Sequence, residues 1–294
     1  MKVVEQVPTV RRRRLGSELR KLREEAGRSL EDAATILECS RSKISRIELG
    51  YLGIRVRDVR DLLDDYGVTD ETLRTHLAAL ARDGNKRGWW DAYGQIIQPA
   101  YANYLDLESD ANYIRTFQSI LIPGLLQTEA YSRAVIRANP ALVRDEVVDT
   151  LMKVRAERQA ILTRDTEPVR FWAIIGEAAL RTPIGGADVM SAQLHHLAEM
   201  VKRPNITLQV LPYSVGAHAG LSGPFVIFSF AVPNDTGVVF LENLSSSLYL
   251  ETPDEAAGYT LVFDDLRSSA LNPADSLEYI ARITHELGTK EAKR

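Results

Sequence analysis

One cysteine in 294 residues, Cys39, excludes an internal disulfide. No Cys/His cluster has zinc-ligand spacing, and no apolar run nears the ~20 residues that cross a bilayer. The basic run Arg11–Arg14 is not followed by an apolar stretch, so a secretory signal is not expected. A reducing, cytoplasmic setting is the simplest reading. Also missing are a Ser/His/Asp arrangement, a paired-carboxylate motif, a P-loop and a metal signature, so neither catalysis nor a cofactor is expected. His195 and His196 diverge on a helix, and His218 sits in a glycine-rich stretch without ligand neighbours. Ser40-Arg-Ser-Lys43 has the S-x-x-K spacing of penicillin-interactive enzymes without their partner motifs, and reads as a chance match.

What is present is ordinary in amount and uneven in placement. Hydrophobic residues make up 45% and charged residues 26%, enough to bury a sizeable core and, at this length, two domains. Residues 1–60 hold 15 basic and 9 acidic side chains, a net of +6. The remainder holds 21 and 31, a net of −10. Polyphosphate attracts the first segment and repels the second.

Leu15, Leu19, Leu22 and Ala26 recur at helical spacing until Gly27. Ser29 with Asp32 has the form of a capping box ahead of Ala33, Ala34, Ile36 and Leu37. Ser40 caps a third helix with Ile44 and Ile47 inward, ended by Gly50. Residues 56–66 and 71–82 give two more helices. The polar segment 83–88, Asp-Gly-Asn-Lys-Arg-Gly, reads as a linker. Beyond it, helical stretches (125–138, 145–163, 188–201, 252–270, 273–287) mix with strand-like runs at Val169–Ile175, Ile206–Leu211, Phe225–Phe230 and Val238–Leu241. The expected architecture is an all-α N-terminal helix-turn-helix domain of about five helices (1–82, with a basic N-terminal arm), followed by an α+β domain (89–294) with a small, mostly antiparallel sheet. Trp89, Trp90 and Tyr93 read as packing at the junction.

Two short helices joined by a tight turn suit major-groove reading. With Ala33 and Ala34 allowing close approach and Ile44 and Ile47 in the core, Arg41, Ser42, Ser45 and Arg46 point outward. Arginine can donate two hydrogen bonds to guanine O6 and N7. Ser40 leaves backbone N–H groups for a phosphate, and Arg12, Arg13 and Arg14 have the charge for a minor-groove arm or phosphate clamp. Ser29–Gly50, SLEDAATILECSRSKISRIELG, resembles the Cro/phage-repressor (Xre) class of helix-turn-helix. That resemblance implies base reading by Arg41, Ser42 and Arg46, backbone contacts from Ser29, Ser40, Lys43 and Ser45, and a structural role for Glu48. Leu30 stands where relatives often carry a phosphate-contacting Gln, and Glu38 where they often carry the turn glycine.

The segments Asp106–Phe117, Ile122–Tyr131, Arg155–Gln159, Gly176–Arg181, Gln209–Pro212, Gly216–Gly220 and Phe240–Glu242 are similar to the C-terminal domain of a large actinobacterial regulator family. That family includes WhiJ-like developmental regulators and antitoxin-like regulators paired with small proteins encoded nearby. The resemblance implies a sequence-specific transcriptional regulator on the nucleoid, with double-stranded DNA and a small neighbouring protein as partners. A homodimer is expected, because one recognition helix reads too few base pairs to address a genome. An antitoxin-like inhibitor with secondary autoregulation, or an enzyme tethered to DNA, are the alternative readings.

Overall fold

A computed structural model of the protein describes residues 9–84, 89–94, 96–140, 144–231, 237–243 and 246–291. Its contacts divide the chain into two units. The first runs to Ala92 and takes in Ile97–Asn103; the second holds Tyr93–Ile96 and the described chain from Tyr104 onward. Trp89 and Trp90, which meet edge to face at 5.4 Å, therefore group with the N-terminal unit, not with a domain starting at 89.

The N-terminal unit contains α1 (Val10–Glu25), α2 (Leu30–Ile36), α3 (Arg41–Glu48), α4 (Val56–Asp65) and α5 (Glu71–Asp83). Helix α1 starts five residues before the leucine periodicity suggests, because Thr9 accepts from the Arg12 amide as its N-cap and Val10 is fully buried. Arg11–Arg14 are thus helical, which corrects the expectation of an arm. The segment 83–88 is shortened too: Asp83 closes α5, Gly84 caps it, and 85–88 lie outside the described residues. The core joins Leu15 and Leu19 of α1, Ala33 and Ala34, Ile44 and Ile47, and Val59, Leu62, Leu63 and Leu77.

The C-terminal unit is α+β, as expected. Its sheet has six strands in the order β3-β2-β1-β4-β5-β6. These are β1 (Tyr113–Gln118), β2 (Arg170–Gly176), β3 (Ile206–Leu211), β4 (Phe225–Ser229), β5 (Val238–Glu242) and β6 (Ser247–Leu250). Three of the five pairings are antiparallel; β1 with β2 and β2 with β3 are parallel. Helix α11 (Pro253–Ser269) covers one face with Ala256, Phe263 and Leu266, against Phe117, Ile174, Ile227 and Val239. On the other face Tyr104 of α6 (Pro99–Asp110) meets Phe228 and Phe240 at ring distances of 5.3 and 4.8 Å. The helical layer adds α7 (Glu129–Arg137), α8 (Asp145–Gln159), α9 (Glu177–Arg181), α10 (Ala187–Met200) and α12 (Pro273–Glu291). No helix among the described residues is long and apolar enough to cross a membrane.

Candidate nucleic-acid interface

The capping box expected at α2 is formed. Ser29 Oγ accepts from the Asp32 amide, and both the Ser29 amide and hydroxyl donate to Asp32 Oδ2 at 2.8 Å. Those two bonds hold the Asp32 carboxyl below its ordinary pKa. Both donors of Ser29 thus go to a carboxylate, and Glu31 and Asp32 make this helix start acidic.

Helix α2 ends in a Schellman motif. The Glu38 amide donates to Thr35 O and the Cys39 amide to Ala34 O, and Glu38 takes φ 48°. A residue with a Cβ costs about 1 kcal/mol there relative to glycine. Glu38 is exposed, so Glu38→Gly is expected to raise stability by up to about 1 kcal/mol, read as a higher urea midpoint at unchanged slope. A lowered midpoint would mean that the Glu38 side chain makes a stabilising contact.

Ser40 caps α3 by accepting from the Lys43 amide at 3.2 Å. Its hydroxyl is an acceptor here, and the first-turn amides of Arg41 and Ser42 are the ones that a helix start presents forward. At about 100° per residue, Ile44, Ile47 and Glu48 share the buried side of α3. Ser42 and Arg46 then point directly away from the core, with Ser45 beside them and Arg41 and Lys43 on opposite flanks. Arg41, Ser42, Lys43 and Arg46 are exposed and Ser45 is half-buried. The structure thus brings two of the expected base-reading residues, Ser42 and Arg46, onto the outward face and leaves Arg41 on its flank. Arg41 Nε lies 3.2 Å from Glu31 Oε1. Both side chains are over 60% exposed, so this is a weak, screened pair that a stronger acceptor can displace.

The basic run lies elsewhere. Arg12 Nε donates to Gly84 O at 3.0 Å and Arg11 Nη1 to Asp83 O at 3.4 Å, so both guanidiniums close the carbonyl end of α5. The Arg13 backbone packs on Gly50, where an added Cβ would come within 2.9 Å of its amide nitrogen. Arg12 thus meets a helix end, and Arg13 and Arg14 are half-buried in α1.

What orients α3 lies outside the motif. Arg23 of α1 donates from Nε to Glu48 Oε1 at 2.6 Å and from Nη2 to Oε2 at 3.0 Å, with Nη1 on Arg28 O at 2.8 Å. Both side chains of the pair are under 10% exposed, and the bidentate geometry fixes the end of the recognition helix against α1. Glu48 has the structural role that the resemblance implies. Arg23 was not found from sequence; the only signal is an arginine at position i+4 from Leu19 on the apolar stripe of α1. Next to the pair, Gly16 brings α1 onto the α3 backbone: an added Cβ would lie 2.4 Å from Glu48 O.

In the C-terminal unit the recognised segments are tied together. Gln159 Nε2 donates to Gly124 O and Gln127 O at 3.2 and 2.7 Å, Arg155 donates to Gln127, and Arg158 forms a buried bidentate pair with Glu108 at 2.6 and 2.8 Å. No group of three or more His, Cys, Asp or Glu side chains that could hold a metal occurs among the described residues.

Two family models match the chain. One described as a helix-turn-helix domain covers residues 14–77, and one described as a domain of unknown function (DUF5753) covers residues 101–282. No curated protein and no solved structure matches it.

Proposed function

The chain belongs to the DUF5753 family and is a helix-turn-helix DNA-binding regulator, and from that premise we propose that it controls transcription by sequence-specific binding through α3, under the control of a small protein that binds its C-terminal unit. The observation that carries the DNA reading is the outward face Ser42–Ser45–Arg46, flanked by Arg41 and Lys43, on a helix pinned from behind by a buried ion pair. A helix that is rigid from behind and polar in front holds its donors in a fixed register against base edges.

The operator is obtained by selection from sheared host DNA with the full chain. On it, Arg46→Ala and Arg41→Ala are each expected to weaken binding by about 1–3 kcal/mol and to relax preference at one base pair. Lys43→Ala weakens all sequences alike and flattens the salt dependence. If both arginine variants keep wild-type affinity and selectivity, the groove assignment is wrong.

The protein acts as a dimer in this reading, its half-sites one helical turn apart, roughly 34–36 Å. The C-terminal unit is a binding module rather than a catalyst, and the chain works on the nucleoid in the cytoplasm. Supporting the division of labour is charge: net +6 over residues 1–60 and −10 over the rest. A controlling partner must favour one arrangement of two DNA-bound modules over another, since equal affinity for both shifts nothing. Co-expression with neighbouring small reading frames, followed by operator binding with and without the co-purifying protein, tests this. A chain that emerges alone and turns over a metabolite overturns it.

A further inference from the structure

The outward stripe of α3 continues past Arg46. Leu49 closes the helix in right-handed helical backbone (φ −85°, ψ 0°), and its amide donates to Ser45 O at 3.0 Å. Lying seven positions after Ser42 and three after Arg46, it comes round to within about 20° of the Ser42 direction. Ser42, Arg46 and Leu49 therefore share one side of the helix, with Ser45 beside them. Helical side chains lean toward the helix start, so Leu49 leans back toward the turn that carries Ser45 and Arg46.

The backbone beneath Leu49 is fixed. The Gly50 amide donates to Ile47 O at 2.9 Å and the Leu52 amide to Arg46 O at 3.1 Å, while Gly50 packs on the Arg13 backbone. Residues 9–84 contain twelve leucines; eleven lie in the core or pack against it, and Leu49 is the exception, 51% exposed. A single exposed leucine is ordinary on most of a protein surface. This one stands at the end of a polar, basic face, where an alkyl group can neither pair with a phosphate nor hydrogen-bond a base edge. The helix-turn-helix match sets what that face meets, the major groove of DNA. There the four base pairs display one methyl group, that on C5 of thymine.

We propose that Leu49 is a specificity-determining residue that covers the methyl group of one thymine in each half-site. The inference rests on the reading of α3 given above and deepens it, because hydrogen bonds from Arg41, Ser42 or Arg46 cannot tell thymine from uracil. Leu49 lies about 4.5 Å along the helix axis from Arg46, little more than the ~3.4 Å between base pairs. The thymine is therefore expected next to the base pair whose preference Arg46→Ala relaxes.

The test uses the full chain and the operator selected with it. Each thymine of one half-site is replaced in turn by deoxyuridine, which removes the methyl group and leaves the hydrogen-bonding edges intact. Wild type is expected to lose about fourfold in affinity at one thymine, the worth of burying one methyl group. Leu49→Ala should bind the thymine and uracil operators alike, whereas Leu49→Met, apolar and of similar length, keeps most of the discrimination. Arg46→Ala should bind both operators more weakly at an unchanged thymine-to-uracil ratio. The uracil scan of wild type needs no variant, so it stands even if Leu49→Ala fails to fold. No uracil-sensitive thymine beside the Arg46 base pair, or a Leu49→Ala chain that still discriminates, overturns the proposal while the arginine effects leave the groove reading intact. If Arg41→Ala and Arg46→Ala change nothing, the groove reading itself fails and this inference falls with it.

Discussion

Replacing Glu48 by alanine is expected to destabilise the N-terminal unit by about 3–5 kcal/mol. The variant leaves Arg23 buried with its strongest partner gone, and an uncompensated buried cation costs more than the pair itself contributes. In a helical unit of this size that corresponds to a fall in Tm of well over 10 °C in its transition, followed by circular dichroism. Arg23→Ala should cost a similar amount for the mirror reason. Arg23→Met combined with Glu48→Leu is expected to recover much of the loss, since it removes both charges and keeps the volume. DNA affinity separates stability from orientation. If the double variant is stable yet binds the selected operator weakly, the ion pair fixes the angle of α3. If Glu48→Ala unfolds at the wild-type temperature, the pair is not the anchor described above.

Gly16→Ala should also destabilise, by about 2–3 kcal/mol, where helix propensity alone forecasts a gain of about 1 kcal/mol. The reason is steric. The new methyl would sit 2.4 Å from Glu48 O and 2.5 Å from Ile47 O, atoms of backbone that cannot rotate aside. Helix α1 would have to lift off the end of α3, which pulls on the Arg23–Glu48 pair from the same side. Urea denaturation of the full chain reads the loss, and operator titration reads the accompanying weaker binding. Unchanged or higher stability would mean that α1 and α3 have slack at this crossing.

Both predictions concern contacts that local pattern does not reveal, and that separates what was legible from what was not. Ser29 with Asp32, Ser40, and the inward Ile44 and Ile47 were legible because caps and helical periodicity act within four residues. The start of α1 was obscured by four arginines that mask Val10 and Thr9. Strand β1 was missed because its buried positions, Ile114, Thr116 and Phe117, break simple alternation. Strand β6 is short and its burial is slight. The two parallel pairings could not be read either, since strand partners are chosen across dozens of residues. The same holds at the interface: the outward residues of α3 were readable from one turn of helix, whereas Arg23, 25 positions from Glu48, required the fold.

The position of β1 has a consequence for the order in which the protein is made. Tyr113 lies opposite Arg170 on one side, 57 positions later, and opposite Ser229 on the other, 116 positions later. At about 5–20 residues per second, the ribosome needs roughly 6–23 s between the middle strand and its second neighbour. Helices α1 to α5 meet partners within the first 84 residues and can close early, as short-range helical contacts do. During that interval a nascent chain holds a closed helix-turn-helix unit followed by a strand open on at least one side, so its exposure to misfolding is concentrated in the C-terminal unit.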